Sequence, residues 1–141
     1  MLQCECARLR LQAPWVMRNA STGSLFLFYS GSSYNQPSYA LGVARSTTGD
    51  IRGPWVKFSG NPILHSAPGA GQKGSTLHYG PGHCSVVAAG KSGAWAFVYA
   101  AEQPGGAARN LMLDAVAWTP GGWPVGSHGE EPSDVSEPIP S

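Results

Sequence analysis

The feature that most constrains this chain is an internal repeat that occurs only twice. Two short apolar runs carry tyrosines 70 residues apart, Tyr29 and Tyr99. Two segments rich in glycine and proline carry tryptophans 68 residues apart, Trp55 and Trp123. Radial repeats with aromatic signatures in each unit are typical of a β-propeller, which needs roughly four to eight blades. The sequence therefore predicts an all-β fold, a partial β-propeller of two four-stranded antiparallel blades.

Each repeat is predicted to contain four short strands separated by turns rich in glycine, serine, threonine and asparagine. The apolar run Leu25–Tyr29 is typical of a strand buried on both faces, with a buried helix as the alternative. The recurring tryptophans Trp55 and Trp123 are expected in the core. We place the eight strands at Ala13–Met17, Leu25–Ser30, Tyr39–Ser46, Pro54–Phe58, His83–Ala88, Ala94–Ala101, Leu111–Trp118 and Trp123–Val125.

These strands divide the chain into five parts. They are an N-terminal extension 1–11, a first blade 12–60, a connecting loop 61–79, a second blade 80–126 and a flexible tail 127–141. The connecting loop is interpreted as a surface excursion, with a functional loop as the alternative. The tail holds four acidic residues and three prolines with almost no large apolar groups, a composition typical of extended or disordered termini.

Composition excludes several classes of partner. The net charge is +1, charged residues make up only 12% of the chain, and no basic block is interleaved with aromatics. Neither nucleic acid nor a membrane surface is therefore expected as a partner. Met1–Leu11 lacks the continuous apolar core of a secretion signal, and no stretch approaches the roughly 20 apolar residues of a membrane span. The localisation stays open.

The three cysteines, Cys4, Cys6 and Cys84, are interpreted as ordinary thiols. They form no CxxC pair and have no histidines at a matching spacing, so a zinc site is not expected. Cys84 lies inside a strand pattern, where a free cysteine behaves as a small buried residue.

Several segments resemble glycoside hydrolase family 43, in the same order along the chain. Gln12–Val16, Leu27–Gly31, Tyr39–Ala44 and Gly53–Trp55 resemble successive strands of one blade of that family. The most specific segment is Gly-Pro-Gly-His-Cys-Ser-Val at residues 80–86, and the resemblance covers roughly residues 12–125. It implies the last two blades of a five-bladed propeller acting on arabinose- or xylose-containing polysaccharide, as arabinofuranosidases, xylosidases and arabinanases do.

The resemblance also implies an inverting hydrolysis that needs a carboxylate base and a carboxylic acid. The position of the general acid falls on Gln12, and a neutral amide cannot exchange a proton as a carboxylic acid does. The base and a third, tuning carboxylate belong to early blades of the family, and nothing before Gln12 resembles those blades. We therefore expect impaired or absent hydrolysis, with Gln12 binding a sugar hydroxyl, and no catalytic residue is assigned.

Four further residues are implied as ligand contacts. His83 matches a histidine near the propeller axis that binds a central calcium or other ion; the alternative is a histidine bonded at a strand end. Arg109 matches an arginine that some family members direct toward the sugar; the alternative is an exposed arginine. The other two are Trp15 and Tyr34. Carbohydrate sites use flat apolar faces beside polar groups, so these two rings, like those of Tyr29 and Tyr39, are candidates for stacking on sugars; packing between sheets is the alternative.

Other titratable residues are weaker candidates. Glu102 and Asp114 are the only carboxylates embedded in the second repeat, and Asp114 is interpreted as a structural anchor. His65 and His78 are interpreted as solvated loop histidines, with the rim of a cleft as the alternative.

Two blades leave strand edges and broad apolar faces that a full ring would cover. We therefore expect copies to associate, for example as a homodimer with four blades; the alternative is a fragment of a longer protein. Three classes of function follow. They are a glycosidase-like protein with lost or relocated activity, a carbohydrate-binding module without the acid, and a structural remnant without a ligand.

Overall fold

The computed structural model describes residues 11–71, 77–89, 93–106 and 108–132. Cys4 and Cys6 lie outside the described residues. Within the described part the fold is all-β, and no helix there is long and apolar enough to cross a membrane. The strands are β1 Leu11–Arg18, β2 Leu25–Gly31, β3 Ala40–Ser46, β4 Trp55–Lys57, β5 Tyr79–Ala89, β6 Ala94–Glu102, β7 Arg109–Trp118 and β8 Pro124–Gly126.

The strands form two four-stranded antiparallel sheets. The first has the order β1-β2-β3-β4 and the second β5-β6-β7-β8. Each sheet is a simple meander, because every strand pairs with its neighbour along the chain. The predicted partial propeller of two blades is confirmed.

The core lies between the two sheets. Phe26 and Phe28 on β2 and Phe97 and Tyr99 on β6 are buried there, and the rings of Phe28 and Phe97 meet edge to face at 5.8 Å. The residue between the two β2 phenylalanines, Leu27, points the other way, because side chains alternate along a strand, and it is only half-buried. The prediction that β2 is buried on both faces is therefore wrong for this chain: its outer face has no sheet against it among the described residues.

The two recurring tryptophans have different environments. Trp123 packs against the core, stacked on Phe58 at 4.9 Å with the Arg45 guanidinium 4.4 Å from its ring centroid. Trp55 is half-exposed on the first sheet and lines a cavity with Lys57. The prediction that both tryptophans are core residues is wrong for Trp55, which lies on the outer face, whereas Trp123 is half-buried and packs against the core.

The start of the connecting loop is part of the core. Ile63 and Leu64 are fully buried, and backbone hydrogen bonds of 2.8 Å join each of them to Leu41 of β3. Further on, the backbone N–H of His65 donates to the carbonyl of Glu130 at 2.7 Å. The interpretation of a surface excursion is therefore wrong for residues 63–64, and residues 72–76 lie outside the described part.

Candidate functional site

A β-bulge positions Gln12 at the start of the first blade. The β1–β2 register shifts between Gln12 and Trp15, and Ala13 has a φ of 52°. A positive φ is uncommon for alanine, and a bulge redirects the side chains beside it. The Nε2 atom of Gln12 donates a hydrogen bond of 2.6 Å to the hydroxyl oxygen of Tyr39.

Tyr39 is the centre of this site. It lies directly before β3, is 1% exposed, and has the Arg109 guanidinium 5.3 Å from its ring centroid. A buried tyrosine needs a partner for its hydroxyl, and a cation over an aromatic face is attracted to it. Tyr39 therefore joins Gln12 of the first blade to Arg109 of the second. We call these three residues the Gln12 site.

The Gly-Pro-Gly segment of β5 accommodates this tyrosine. A Cβ atom on Gly82 would lie 2.3 Å from Cε1 of Tyr39, far inside van der Waals contact. Gly80 has a φ of +58°, and its N–H donates to Ser66 Oγ at 2.9 Å. Glycine in a strand often marks the close approach of another group. The segment that is most specific in the sequence is thus the one that makes room for Tyr39.

Arg109 is anchored rather than free at its tip. Its Nη1 atom donates to the carbonyl of Gly80 at 2.7 Å, and its Nη2 atom to the carbonyl of Ala100 at 2.5 Å. These bonds tie the start of β7 to β5 and β6, and the side chain is half-buried. Arg109 thus contributes a fixed positive charge beside Tyr39.

His83 follows the glycine segment and carries an exposed side chain. Its φ is 56°, and its backbone N–H donates to Ser30 Oγ at 2.8 Å. Ser30 pairs with Gln12 across β1 and β2, so the backbone of His83 lies close to the Gln12 site. Within the described residues no group of three histidine, cysteine or acidic side chains could hold a metal ion.

Trp15 and Tyr34 lie at the edges of the site. The indole N–H of Trp15 donates to the carbonyl of Val86 at 3.0 Å and so joins the first strands of the two blades. The ring of Trp15 is still 39% exposed. Tyr34 is 55% exposed in the loop before β3, and its backbone carbonyl lies against Gly80. Both aromatic faces are thus accessible to a ligand, but neither is linked to Tyr39 by a described contact.

A cavity adjoins Gln12 on the outer face of the first sheet. Its volume is about 290 Å³, near the lower end for small-molecule pockets, and its lining is mostly apolar. The lining residues are Leu11, Gln12, Pro14, Leu27, Tyr29, Ala44, Trp55 and Lys57.

The embedded carboxylates lie inside the second sheet, away from solvent. Asp114 is 2% exposed and accepts a short hydrogen bond from the Tyr99 hydroxyl; burial and this contact raise the pKa of Tyr99. Glu102 is also 2% exposed, and together with burial its charge raises the pKa of Tyr79. Both carboxylates therefore act within the protein interior, as expected for Asp114.

The fold agrees with comparisons to known families. The family model of glycosyl hydrolases family 43 matches residues 9–124. Because this match spans most of the chain, the protein belongs to glycosyl hydrolase family 43. A comparison with curated proteins finds no match.

Solved structures give the same class. The chain is 27% identical to a thermostable family-43 glycoside hydrolase, with a TM-score of 0.71 and coverage of 93% of this chain and 38% of that one. The chain is 26% identical to an endo-1,4-β-xylanase from Bacteroides thetaiotaomicron, with a TM-score of 0.64 and coverage of 84% of this chain and 38% of that one. An endo-1,5-α-L-arabinanase from Thermotoga petrophila is 16% identical, with a TM-score of 0.68 and coverage of 90% of this chain and 33% of that one. At this low identity the likeness shows only that the fold is shared. The chain thus spans well under half the length of these proteins.

Proposed function

We propose that this chain binds arabinose- or xylose-containing polysaccharide at the Gln12 site and does not hydrolyse it by itself. The observation that carries the proposal is the carboxamide of Gln12, held 2.6 Å from the Tyr39 hydroxyl. A carboxamide forms hydrogen bonds with sugar hydroxyls but cannot deliver a proton to a leaving oxygen. The name of a similar structure that is 26% identical, an endo-1,4-β-xylanase, supports pentose-containing polysaccharide as the ligand class.

The carboxylates of the described residues support the absence of hydrolysis. Inversion needs two carboxyl groups roughly 6.5–9.5 Å apart across the scissile bond. Glu102 and Asp114 are buried in the second sheet, Asp50 pairs with Arg52, and Glu130 pairs with His65. Within the described part of the chain, none of these contacts brings a carboxylate to Gln12.

The remaining predicted contacts extend the site. Trp15 and Tyr34 supply exposed aromatic faces for sugar rings, and Arg109 supplies a fixed charge beside Tyr39. In this proposal a central calcium would have His83 as its protein ligand here, with oxygen ligands from water or from other parts of the assembly.

A second copy of the chain is proposed to cover the outer faces of the sheets. Leu111 is 79% exposed on the second sheet, Leu11 is 53% exposed on the first, and Val87 is 39% exposed. Apolar residues gathered on open sheet faces favour association. Analytical ultracentrifugation tests this: a dimer at micromolar concentration is expected, and a stable, compact monomer would contradict it. If further blades of a longer polypeptide cover these faces instead, adding those blades will abolish the dimer.

The function is tested by calorimetry with xylo- and arabino-oligosaccharides. We expect saturable binding that Gln12→Leu weakens about tenfold, because one sugar contact is lost. Gln103→Leu is the matched control, because it makes the same change at an exposed glutamine on the second blade. If no oligosaccharide gives a heat of binding, the proposal is contradicted, and a structural remnant without a ligand is the remaining class of function.

The competing function is that of a glycosidase in which the general acid is the only catalytic group that is missing. Gln12→Glu restores a carboxyl group at that position. We expect no release of nitrophenol from nitrophenyl arabinofuranoside or xyloside by either protein, because none of the carboxylate contacts given above supplies a base beside Gln12. Release by the wild-type protein would contradict the proposal, and release by Gln12→Glu alone would show that the acid was the only missing group.

A further inference from the structure

Tyr39 has three contacts that no single blade could supply. Its hydroxyl oxygen lies 2.6 Å from Gln12 Nε2 on β1, and its ring lies under the Arg109 guanidinium at 5.3 Å. The third contact is with the backbone of β5 at Gly82, where a Cβ atom would overlap the ring. Its position is therefore determined from three directions, by the first strand of each blade and by β7.

This fixed ring in turn determines where Gln12 points. Gln12 is half-buried beside a bulge, and an unrestrained glutamine side chain has several rotamers of similar energy. One hydrogen bond to a hydroxyl that cannot itself move selects one of them. Preorganisation of this kind lowers the entropy cost of binding a ligand.

We infer that Tyr39 is a positioning residue of the Gln12 site: its buried hydroxyl holds the side chain at position 12, and its ring supports Arg109. The effect on a ligand rests on the proposed function, since it requires that Gln12 contact the sugar. The effect on position 12 does not, because it concerns contacts within the protein alone.

The most selective test introduces a titratable group at position 12. In Gln12→Glu the Tyr39 hydroxyl can donate to the new carboxylate, and a hydrogen bond to the charged form lowers the pKa of a carboxyl group. Tyr39→Phe keeps the buried ring beside Arg109 and removes only the hydroxyl. The pKa difference between the two proteins therefore isolates the hydroxyl.

We expect carbon-detected NMR to give a pKa about one unit lower for Gln12→Glu alone than for Gln12→Glu with Tyr39→Phe. Tyr79→Phe in the same background is the matched control, because it removes another buried tyrosine hydroxyl, and it should leave the pKa of the new carboxyl unchanged. A difference below about 0.3 units between the first two proteins would overturn the inference.

A measurement on the unmodified protein tests the inference even if the variants do not fold. The side-chain amide protons of Gln12 should show nuclear Overhauser contacts with the ring protons of Tyr39 and slow exchange with water. Absence of those contacts together with exchange as fast as in an exposed glutamine would overturn the inference without any substitution.

The ligand gives an independent result. Tyr39→Phe should weaken oligosaccharide binding about five- to tenfold, and adding it to Gln12→Leu should have no further effect, because the two residues act as one unit. If the wild-type protein binds and Tyr39→Phe binds equally well, the inference fails and the proposed function stands. If the wild-type protein does not bind, the proposed function fails, and the pKa and NMR results still decide the role of Tyr39.

Discussion

Substitution of Gly82 by alanine should be unusually damaging for so small a change. The new Cβ atom would lie 2.3 Å from Cε1 and 2.6 Å from Cζ of Tyr39, whereas ordinary contact begins near 3.4 Å. The ring must therefore move by about 1 Å. Tyr39 is fully buried under Arg109 and bonded to Gln12, so this movement disturbs the whole Gln12 site.

The expected cost has two parts. Overpacking a well-packed site costs about 1–3 kcal/mol, and weakening the Gln12–Tyr39 hydrogen bond adds about 1 kcal/mol. The free energy of unfolding of Gly82→Ala should therefore fall by about 2–4 kcal/mol, which in a chain of this size lowers Tm by roughly 6–15 °C. Backbone strain plays no part, because Gly82 is not among the glycines with a positive φ.

Alanine variants at two other glycines serve as references, and the stability of all three variants is measured by thermal and urea denaturation. At Gly31 the nearest atom to a new Cβ is Leu11 Cδ2 at 3.9 Å, so Gly31→Ala should change stability by less than about 0.5 kcal/mol. At Gly42 the new Cβ would lie 2.8 Å from Cζ of Tyr29, but that ring is only half-buried and can move, so an intermediate loss is expected. Equal stability of Gly82→Ala and Gly31→Ala would show that the Tyr39 ring is not packed against Gly82 as described.

Three further predictions concern Cys84, Tyr99 and Trp15. Burial raises the pKa of the Cys84 thiol to about 12. When Cys4 and Cys6 are replaced by serine, the native protein should therefore not react with a thiol reagent at pH 8. Rapid reaction would contradict this prediction. Because an unfolded thiol ionises near about pH 8.5, stability should fall as the pH rises from there toward about 12. Tyr99→Phe removes a buried donor to Asp114 and should lower the free energy of unfolding by about 1–3 kcal/mol; a neutral effect in urea denaturation would show that the contact is not stabilising. Trp15→Phe removes the donor to the Val86 carbonyl, and a loss of about 1 kcal/mol is expected, with an unchanged Tm as the contrary result.

The strands could be predicted from the sequence because their signals are local. Apolar runs such as Leu25–Tyr29 end at turns that contain Gly23 and Asn19, and those residue types set strand ends by their own backbone preferences. The second repeat has the same order of runs and turns. All eight predicted strands are present, with ends that differ by a few residues.

The centre of the site could not be predicted in the same way. Gln12 and Tyr39 are separated by 27 positions, and their contact depends on a bulge at Ala13 that no local propensity indicates. The pattern predicts Tyr39 only as one of several aromatic side chains for stacking on sugars. The signal that would have found it is the pair Gly80 and Gly82, since closely spaced strand glycines indicate that another group approaches the backbone.

The outer face of the first sheet explains the errors at Leu27 and Trp55. Leu27 and Trp55 have the residue types of a core, and sequence alone assigns such residues to the interior. Burial depends on what packs against a face, and no third sheet does so among the described residues. Apolar patterning therefore predicts which faces become buried in a complete assembly rather than which are buried in this chain.

The proposed function requires that pentose-containing polysaccharide bind at the Gln12 site without being cleaved. NMR titration of the labelled protein with xylo- and arabino-oligosaccharides tests it most directly, with the sugar recovered afterwards for analysis. We predict saturable shift changes at the Gln12 side-chain amide and at residues around Tyr39 and Arg109, with the oligosaccharide recovered intact. Shift changes confined to surfaces distant from Gln12, or recovery of shortened sugar, would contradict the account.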